Sequence, residues 1–390
     1  MPVINRVAEL APTVAEWRRD LHMHPETEFD THRTSALVAD KLRAFGCDEV
    51  ATGIGRTGVV GVIRGRETGS GRVVALRADM DALPMTEATG HAWASTTPGK
   101  MHSCGHDGHT AMLLGAARHL AETRNFDGTA VVIFQPAEEG GGGGREMVED
   151  GMMDRFGVQE VYGMHNMPGL PVGDFALRPG PLLAATDMFA VEVIGRGGHA
   201  AQPHNCIDPT VAASAIVLAL QTIVARNVDP ILQAVVSVTS FRTDSDAFNV
   251  IPERVELRGT TRSLDPAVRD LIESRMEALV GATARAYGAE ARLDFRRNYP
   301  VTVNDPARAG FAARVAADVV GEARVDDATP PIMGGEDFAY MLEARPGAIV
   351  FVGNGDTAKL HHPRYDFNDE VIPVGVSYWV RLIETAMPAA

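Results

Sequence analysis

Lysine is almost missing from this chain of 390 residues: Lys41, Lys100 and Lys359 are all there is, and the other basic side chains are arginine. No run of Lys or Arg offsets a formal net charge of −15. Such a surface repels a phosphate backbone, so nucleic acid is not an expected partner. Long apolar runs are absent too. None reaches the roughly 18 residues of a membrane span, so no membrane partner is expected. The opening MPVINRVAELAPTVAEWRRD lacks the basic start and apolar core of a secretory signal. Cysteine is sparse and odd in number (Cys47, Cys104 and Cys206), which argues against a disulfide framework and for the cytoplasm.

The remaining composition, 45% hydrophobic and 22% charged, suits a globular protein, and the length predicts two domains. Apolar spacing predicts helices over 5–22, where Leu10, Val14, Trp17 and Leu21 share a stripe, and over 31–45. TGVVGVI (57–63), RVVALRAD (72–79), TAVVIFQ (129–135) and EVYGMHN (160–166) read as buried strands, and 108–122 as a helix. This alternation predicts an α/β layer with parallel pairs. Near residue 184 the texture changes. TDMFAVEVIG (186–195) alternates like a half-exposed strand, and Asp208 and Pro209 open a helix over about 208–226. Two strands, ILQAVVSVTSF and ERVELRGTTRS, a helix over about 266–287 and a strand ARLDFRR follow. That β-α-β-β-α-β order is the ferredoxin-like pattern, here an α+β domain inserted into the larger one. From about 300 helix and strand alternate again, with a buried strand at AIVFVG (348–353).

Ligand-type side chains crowd four stretches: Cys104-Gly105-His106, Glu138-Glu139, His165 and His361-His362. Each follows a strand or lies at a loop edge, and loops at the carboxyl ends of strands in an open α/β sheet can converge. Singly, each residue favours a cap, surface or packing role; together they point to a metal site. Thiolate, imidazole and carboxylate suit Zn²⁺ and also Mn²⁺, Co²⁺ or Ni²⁺. Five ligands exceed what one ion with an open position needs and suit two. If the backbone at Glu138-Glu139 is extended, the side chains diverge, so that one holds a metal while the other takes a proton from water. Asp79 and Asp81 follow another buried strand. GGGGG (140–144) lacks the GK[ST] of a phosphate loop and reads as a tight turn. Ser70 reads as turn chemistry. In the inserted block, His199 and His204 follow a glycine turn, and Arg262 is a candidate carboxylate anchor.

The motifs LRADMDALPM, HSCGHDGHTAMLLGAA, FQPAEEGGGGG, MHNMPGLPVG, GRGGHAAQPH, NVIPE, MGGEDFAYM and LHHPRYDFNDE resemble the hippurate hydrolase and N-acyl-amino-acid amidohydrolase group. That group belongs to the aminoacylase-type dinuclear metallopeptidases and is related to carboxypeptidases G and plant auxin-conjugate hydrolases. The resemblance runs from residue 17 to 370. It implies a mixed-sheet α/β catalytic domain over 1–184 and 298–390, and a ferredoxin-like lid and dimerisation domain over 185–297. It implies metal ligands at Cys104, His106, Glu139, His165 and His361, the last preferred over His362 by the pattern L-H-x-P. It gives Glu138 the role of base or acid, has His199 reach the partner subunit's site and polarise the scissile carbonyl, and makes Asn249 and Arg262 carboxylate binders. Relatives carry His-x-Asp where this chain has Asp79-Met80-Asp81, consistent with Cys104 serving instead and with Asp81 orienting a ligand. His22, His24, His102 and His109 are left structural, and Cys206 is filler. The expected reaction is hydrolysis of an N-acyl amino acid with two divalent ions, Mn²⁺ or Zn²⁺ first and Co²⁺ or Ni²⁺ next, in a homodimer. The rival readings are a dipeptidase or carboxypeptidase on short peptides, and a metal-bearing binding protein without turnover.

Overall fold

A computed structural model describes residues 3–389, which divide into two compact units. The first comprises the chain up to Gly180, Val303–Pro330 and the chain from Asp337 on; the second comprises Pro181–Thr302 and Pro331–Glu336. The short segment Pro331–Glu336 thus groups with the second unit, whereas the sequence reading keeps it in the larger domain. Backbone bonds explain the grouping: Ala184 N–H donates to Gly334 O at 2.8 Å.

The first unit is built on an eight-stranded mixed sheet. In spatial order its strands are Glu49–Ile54, Gly58–Arg64, Thr129–Gln135, Val73–Asp79, Glu160–Pro168, Gly347–Gly355, Phe175–Ala176 and Val325–Asp326. The four from Thr129–Gln135 to Gly347–Gly355 run parallel, and the first two pairs are antiparallel. Parallel strands are covered on both faces, which is why these read as unbroken apolar runs. Gly347–Gly355 is buried at every position.

The helix His106–Thr123 is buried along nearly its whole length, packed by Asn5–Met23, His32–Phe45 and Ile372–Ala386. Small residues make that possible. A Cβ at Gly108 would collide with the Phe367 ring, and one at Gly115 would meet Val14 and Val376 at 3.0 Å. The carboxyl ends of the central parallel strands lie along one edge, so the segments carrying Asp81, Glu138 and Glu139 emerge beside His165, which lies near the end of the strand Glu160–Pro168.

The second unit holds an antiparallel sheet in the order Ala234–Thr243, Arg254–Ser263, Ala185–Ile194, Glu290–Arg297. With helices Pro209–Arg226 and Pro266–Ala286 its chain order is β-α-β-β-α-β. Both helices start on Asp-Pro: Asp208 accepts from Thr210 N–H and Asp265 from Ala267 and Val268 N–H, a side-chain cap followed by a proline that needs no donor. Their apolar faces bury Ile216, Leu220, Ile272 and Met276 against Val191, Val193 and Leu257. Pro209–Arg226 is long and apolar enough to cross a membrane by composition, but Ala212, Ala213, Ile216, Leu220 and Ile223 are packed in this core.

Candidate metal centre

The structure brings the sequence-predicted ligands Cys104, His106, Glu139, His165 and His361 into two overlapping groups. Donor atoms of Cys104, His106 and His165 lie within 4.8 Å of one another, as do those of Cys104, Glu139 and His361, so Cys104 belongs to both. A third group joins His106 to Glu138 and Glu139. The spacings suit shared ions. Cys104 Sγ stands 3.5 Å from His165 Nε2; sulfur and nitrogen at ordinary zinc distances form a tetrahedral edge of about 3.6 Å. Glu139 Oε1 stands 3.3 Å from His361 Nε2, against about 3.4 Å for an oxygen–nitrogen edge.

Each predicted ligand is aimed by its neighbours. His106 opens the long helix, and its Nδ1–H donates to the Asp81 carbonyl at 2.8 Å. That fixes the tautomer, and Nε2, fully buried, has no hydrogen-bond partner among the described residues. A buried ring nitrogen left so is costly unless something else satisfies it. Likewise His165 Nδ1–H donates to Asn166 O at 2.7 Å, presenting Nε2 to Cys104. Asp81 holds His106 through its carbonyl and the glutamates through its side chain: its two carboxylate oxygens accept the N–H groups of Glu138 at 2.9 Å and Glu139 at 3.1 Å. His361 sits at φ +61°, and its N–H donates to Ser103 O at 2.8 Å, while His362 Nδ1 accepts from Arg364 N–H in its own loop.

Glu138 and Glu139 lie in a turn rather than in extended chain, and their carboxylates do not diverge: both come to 3.9 Å from His106 Nε2. The glycine run makes the turn. Gly142 has φ +70°, and a Cβ at Gly143 would collide with Pro136 O.

Burial opposes charge throughout this cluster, and its carboxylates answer it. For His106 burial is outweighed by Asp79, Asp81 and Glu139, which raise its pKa to about 10. Burial, reinforced by Glu139 and Glu138, pushes the Cys104 thiol well above its usual range. Glu139 resists its burial through the His361 hydrogen bond and is lowered, and His361 is raised by the same bond. Burial takes His165 down to about 3, leaving it a neutral ligand. An acidic pocket that retains protons on a thiol and an imidazole is one a cation can discharge by displacing them.

Of the histidines read as structural, His22, His24 and His109 have hydrogen-bond partners, while both ring nitrogens of buried His102 have none among the described residues. His109 donates Nδ1–H to Asp79 at 2.6 Å and accepts Asn166 N–H at 2.9 Å, so both nitrogens are used. His22 pairs with Asp107 at 2.8 Å, and His24 Nδ1 bonds Asp20 O. Burial lowers His102 to about 3.

Sequence reasoning missed the supports. Buried Arg77 bonds Asp79 and Gln135 at 2.8 Å and Asp337 at 3.0 Å, and Asp337 also accepts Gly144 N–H at 2.7 Å, bracing the glutamate turn. Asn166 and Tyr365 join the ligand segments. The motif GGEDFAY, quoted for the resemblance, was the signal for Asp337.

The other predicted residues lie in the second unit. His199 and Asn249 are exposed at a small two-stranded antiparallel sheet in which Val250 pairs with His199. His199 Nδ1 accepts Ala201 N–H at 3.1 Å, which leaves its proton on Nε2 as an outward donor. Arg262, half-buried, donates to Thr261 O at 2.8 Å.

Residues 75–385 match the family described as Peptidase family M20/M25/M40. The chain is 40% identical to a hippurate hydrolase of Campylobacter jejuni, covering 98% of each protein. It is 40% identical to an N-acetyl-L-cysteine deacetylase of Bacillus subtilis, covering 93% of this chain and 85% of that one. It superposes with a TM-score of 0.84 and 34% identity on a crystal structure from Bacillus subtilis described as a dinuclear metal binding peptidase, covering 98% of this chain and 100% of that one.

Proposed function

Because the chain belongs to peptidase family M20/M25/M40, we propose that it is a metal-dependent amidohydrolase that cleaves N-acyl or N-aroyl amino acids to a carboxylic acid and a free amino acid. The observation that carries the reading is the convergence of Cys104, His106, Glu139, His165 and His361 beside Glu138. The relatives named for hippurate and N-acetylcysteine both have an amide on an amino acid as substrate, which supports the substrate class.

Cys104, His106, Glu139, His165 and His361 would hold two divalent ions, Mn²⁺ or Zn²⁺, with Co²⁺ or Ni²⁺ as alternatives. Bound there, such ions acidify a water and polarise the amide carbonyl. Glu138 takes the proton of the attacking water and passes it to the leaving nitrogen. Its carboxylate is held near the ligands because its own N–H is fixed on Asp81. His199, with Nε2–H outward, donates to the developing oxyanion. Asn249 and Arg262 bind the substrate carboxylate.

The second unit serves as lid and dimerisation domain over about 185–297. Support for a homodimer comes from Val211 and Leu218, which are 50% and 72% exposed and seven residues apart on one helix face, and from the edge strand Ala234–Thr243, which pairs on one side alone among the described residues. We place the enzyme in the cytoplasm, where its three unpaired cysteines would stay reduced. Amine release from benzoylglycine, acetyl-amino acids and dipeptides, assayed with each added metal, tests the reading. Higher kcat/KM on the acyl amino acids supports it; a preference for dipeptides makes the chain a peptidase.

A further inference from the structure

We infer that Asn166, held by Tyr365, is the positioning residue that sets the mutual placement of the Cys104, His165 and His361 segments, and so the metal affinity of the centre. The inference rests on reading those three residues as ligands.

Asn166 is fully buried, and all four of its polar atoms are engaged. Its N–H donates to His109 Nε2 at 2.9 Å, and its carbonyl accepts His165 Nδ1–H at 2.7 Å. Its side-chain Nδ2 donates to the Cys104 carbonyl at 2.6 Å, and its Oδ1 accepts the Tyr365 hydroxyl at 2.7 Å. These bonds reach three stretches of chain that are far apart in sequence and each carry a ligand. The carbonyl bond fixes the tautomer of His165, so the Nε2 lone pair faces Cys104 Sγ. The Nδ2 bond ties the Cys104 backbone to the end of the central strand. The Tyr365 bond anchors the loop that begins at His361, four residues earlier.

The chemistry demands this residue. Its amide offers a donor to a carbonyl and an acceptor to a phenol at the same time, from two separate atoms of one planar group. A carboxylate at 166 would set two oxygens against Cys104 O and Tyr365, and a leucine would satisfy neither. The space is shaped for it: Gly105, at φ +90°, lies under the pair, and a Cβ there would collide with both Asn166 Nδ2 and the Tyr365 hydroxyl. Tyr365 is itself fully buried, so its hydroxyl has a purpose beyond packing. The histidine beside Asn166 is aimed through the backbone, while the thiolate and the His361 loop are aimed through the side chain.

The test compares wild type with Tyr365→Phe, which removes one hydroxyl, and Asn166→Asp, which removes the donor to Cys104. Zn²⁺ affinity is measured by competition with a chromophoric chelator. The thiolate-to-metal absorption is recorded with Co²⁺, and the melting temperature of each metal-free protein is measured. The expected result is Zn²⁺ binding about 10–100-fold weaker in Tyr365→Phe, the range for residues that orient ligands, with a shifted Co²⁺ spectrum. Asn166→Asp, if it folds, binds more weakly still. Wild-type Zn²⁺ affinity and Co²⁺ spectrum in Tyr365→Phe overturn the inference, and a lower melting temperature with that unchanged affinity makes the hydroxyl a fold stabiliser only. A wild-type protein that takes up neither Zn²⁺ nor Co²⁺ brings down the ligand reading first, and this inference with it.

Discussion

At the scale of single residues, the proposed proton carrier and the proposed ligands separate cleanly in what their loss should do. Glu138→Gln keeps the size and the backbone bond to Asp81, so fold and metal content should persist while kcat falls by about 10²–10⁴. Steady-state kinetics with elemental analysis on the same sample checks this; retained turnover removes Glu138 from its role. Behind the centre, His22 makes a second, separate prediction. Burial opposes its charge, but Asp107 and Glu87 raise its pKa to about 9 from the usual 6.5. The shift is upward, so its contribution to stability is complete below pH 6.5 and disappears as pH rises through 9, amounting to about 3 kcal/mol at most. Denaturant melts of the metal-free protein between pH 6 and pH 10 should show that decline, and His22→Gln should flatten it. The convergence of the candidate ligands was legible in the sequence because Cys, His and Glu gathered near strand ends. Asn166, Tyr365, Arg77 and Asp337 were not. They are ordinary residue types, and their meaning lies in bonds such as Tyr365 to Asn166, which span 199 positions.

At the scale of elements, unbroken apolar runs marked the buried parallel strands, and alternation marked Ala185–Ile194. The helix starts at Asp208-Pro209 were legible because capping is local chemistry. Glu49–Ile54 escaped notice: it is an edge strand with most of its side chains exposed or half-buried and a bulge at Gly53, so no period shows. That the glycine turn takes in the glutamates themselves also escaped, because its geometry is imposed by Asp81 and Asp337 from distant segments of the chain. That turn depends on glycine. Gly143→Ala places a methyl against Pro136 O, and the cost of such a clash is typically 1–3 kcal/mol or more. The melting temperature should fall, and metal affinity should fall with it as Glu139 moves. A variant with wild-type melting and metal content would show that the loop has room to relax.

At the scale of the whole molecule, composition excluded more than it specified, and the motif order carried the family. The β-α-β-β-α-β order of the second unit was readable from a change in texture, while the grouping of Pro331–Glu336 with it depends on a backbone bond that no local pattern shows. The proposed dimer belongs to this scale. Leu218→Glu, on the exposed face of Pro209–Arg226, should give a folded monomer by light scattering. Because His199 is proposed to serve the partner subunit's site, that monomer should keep its metal and lose turnover, and a fully active monomer would end the cross-subunit role. The central claim, however, is that five side chains from four separate stretches of chain hold two cations. Its most direct test is the metal content of purified, active protein, by elemental analysis, beside Cys104→Ala and His106→Ala. The account predicts about two divalent ions per chain in the wild type and a loss of ions in both variants; an active wild type devoid of divalent metal would contradict it.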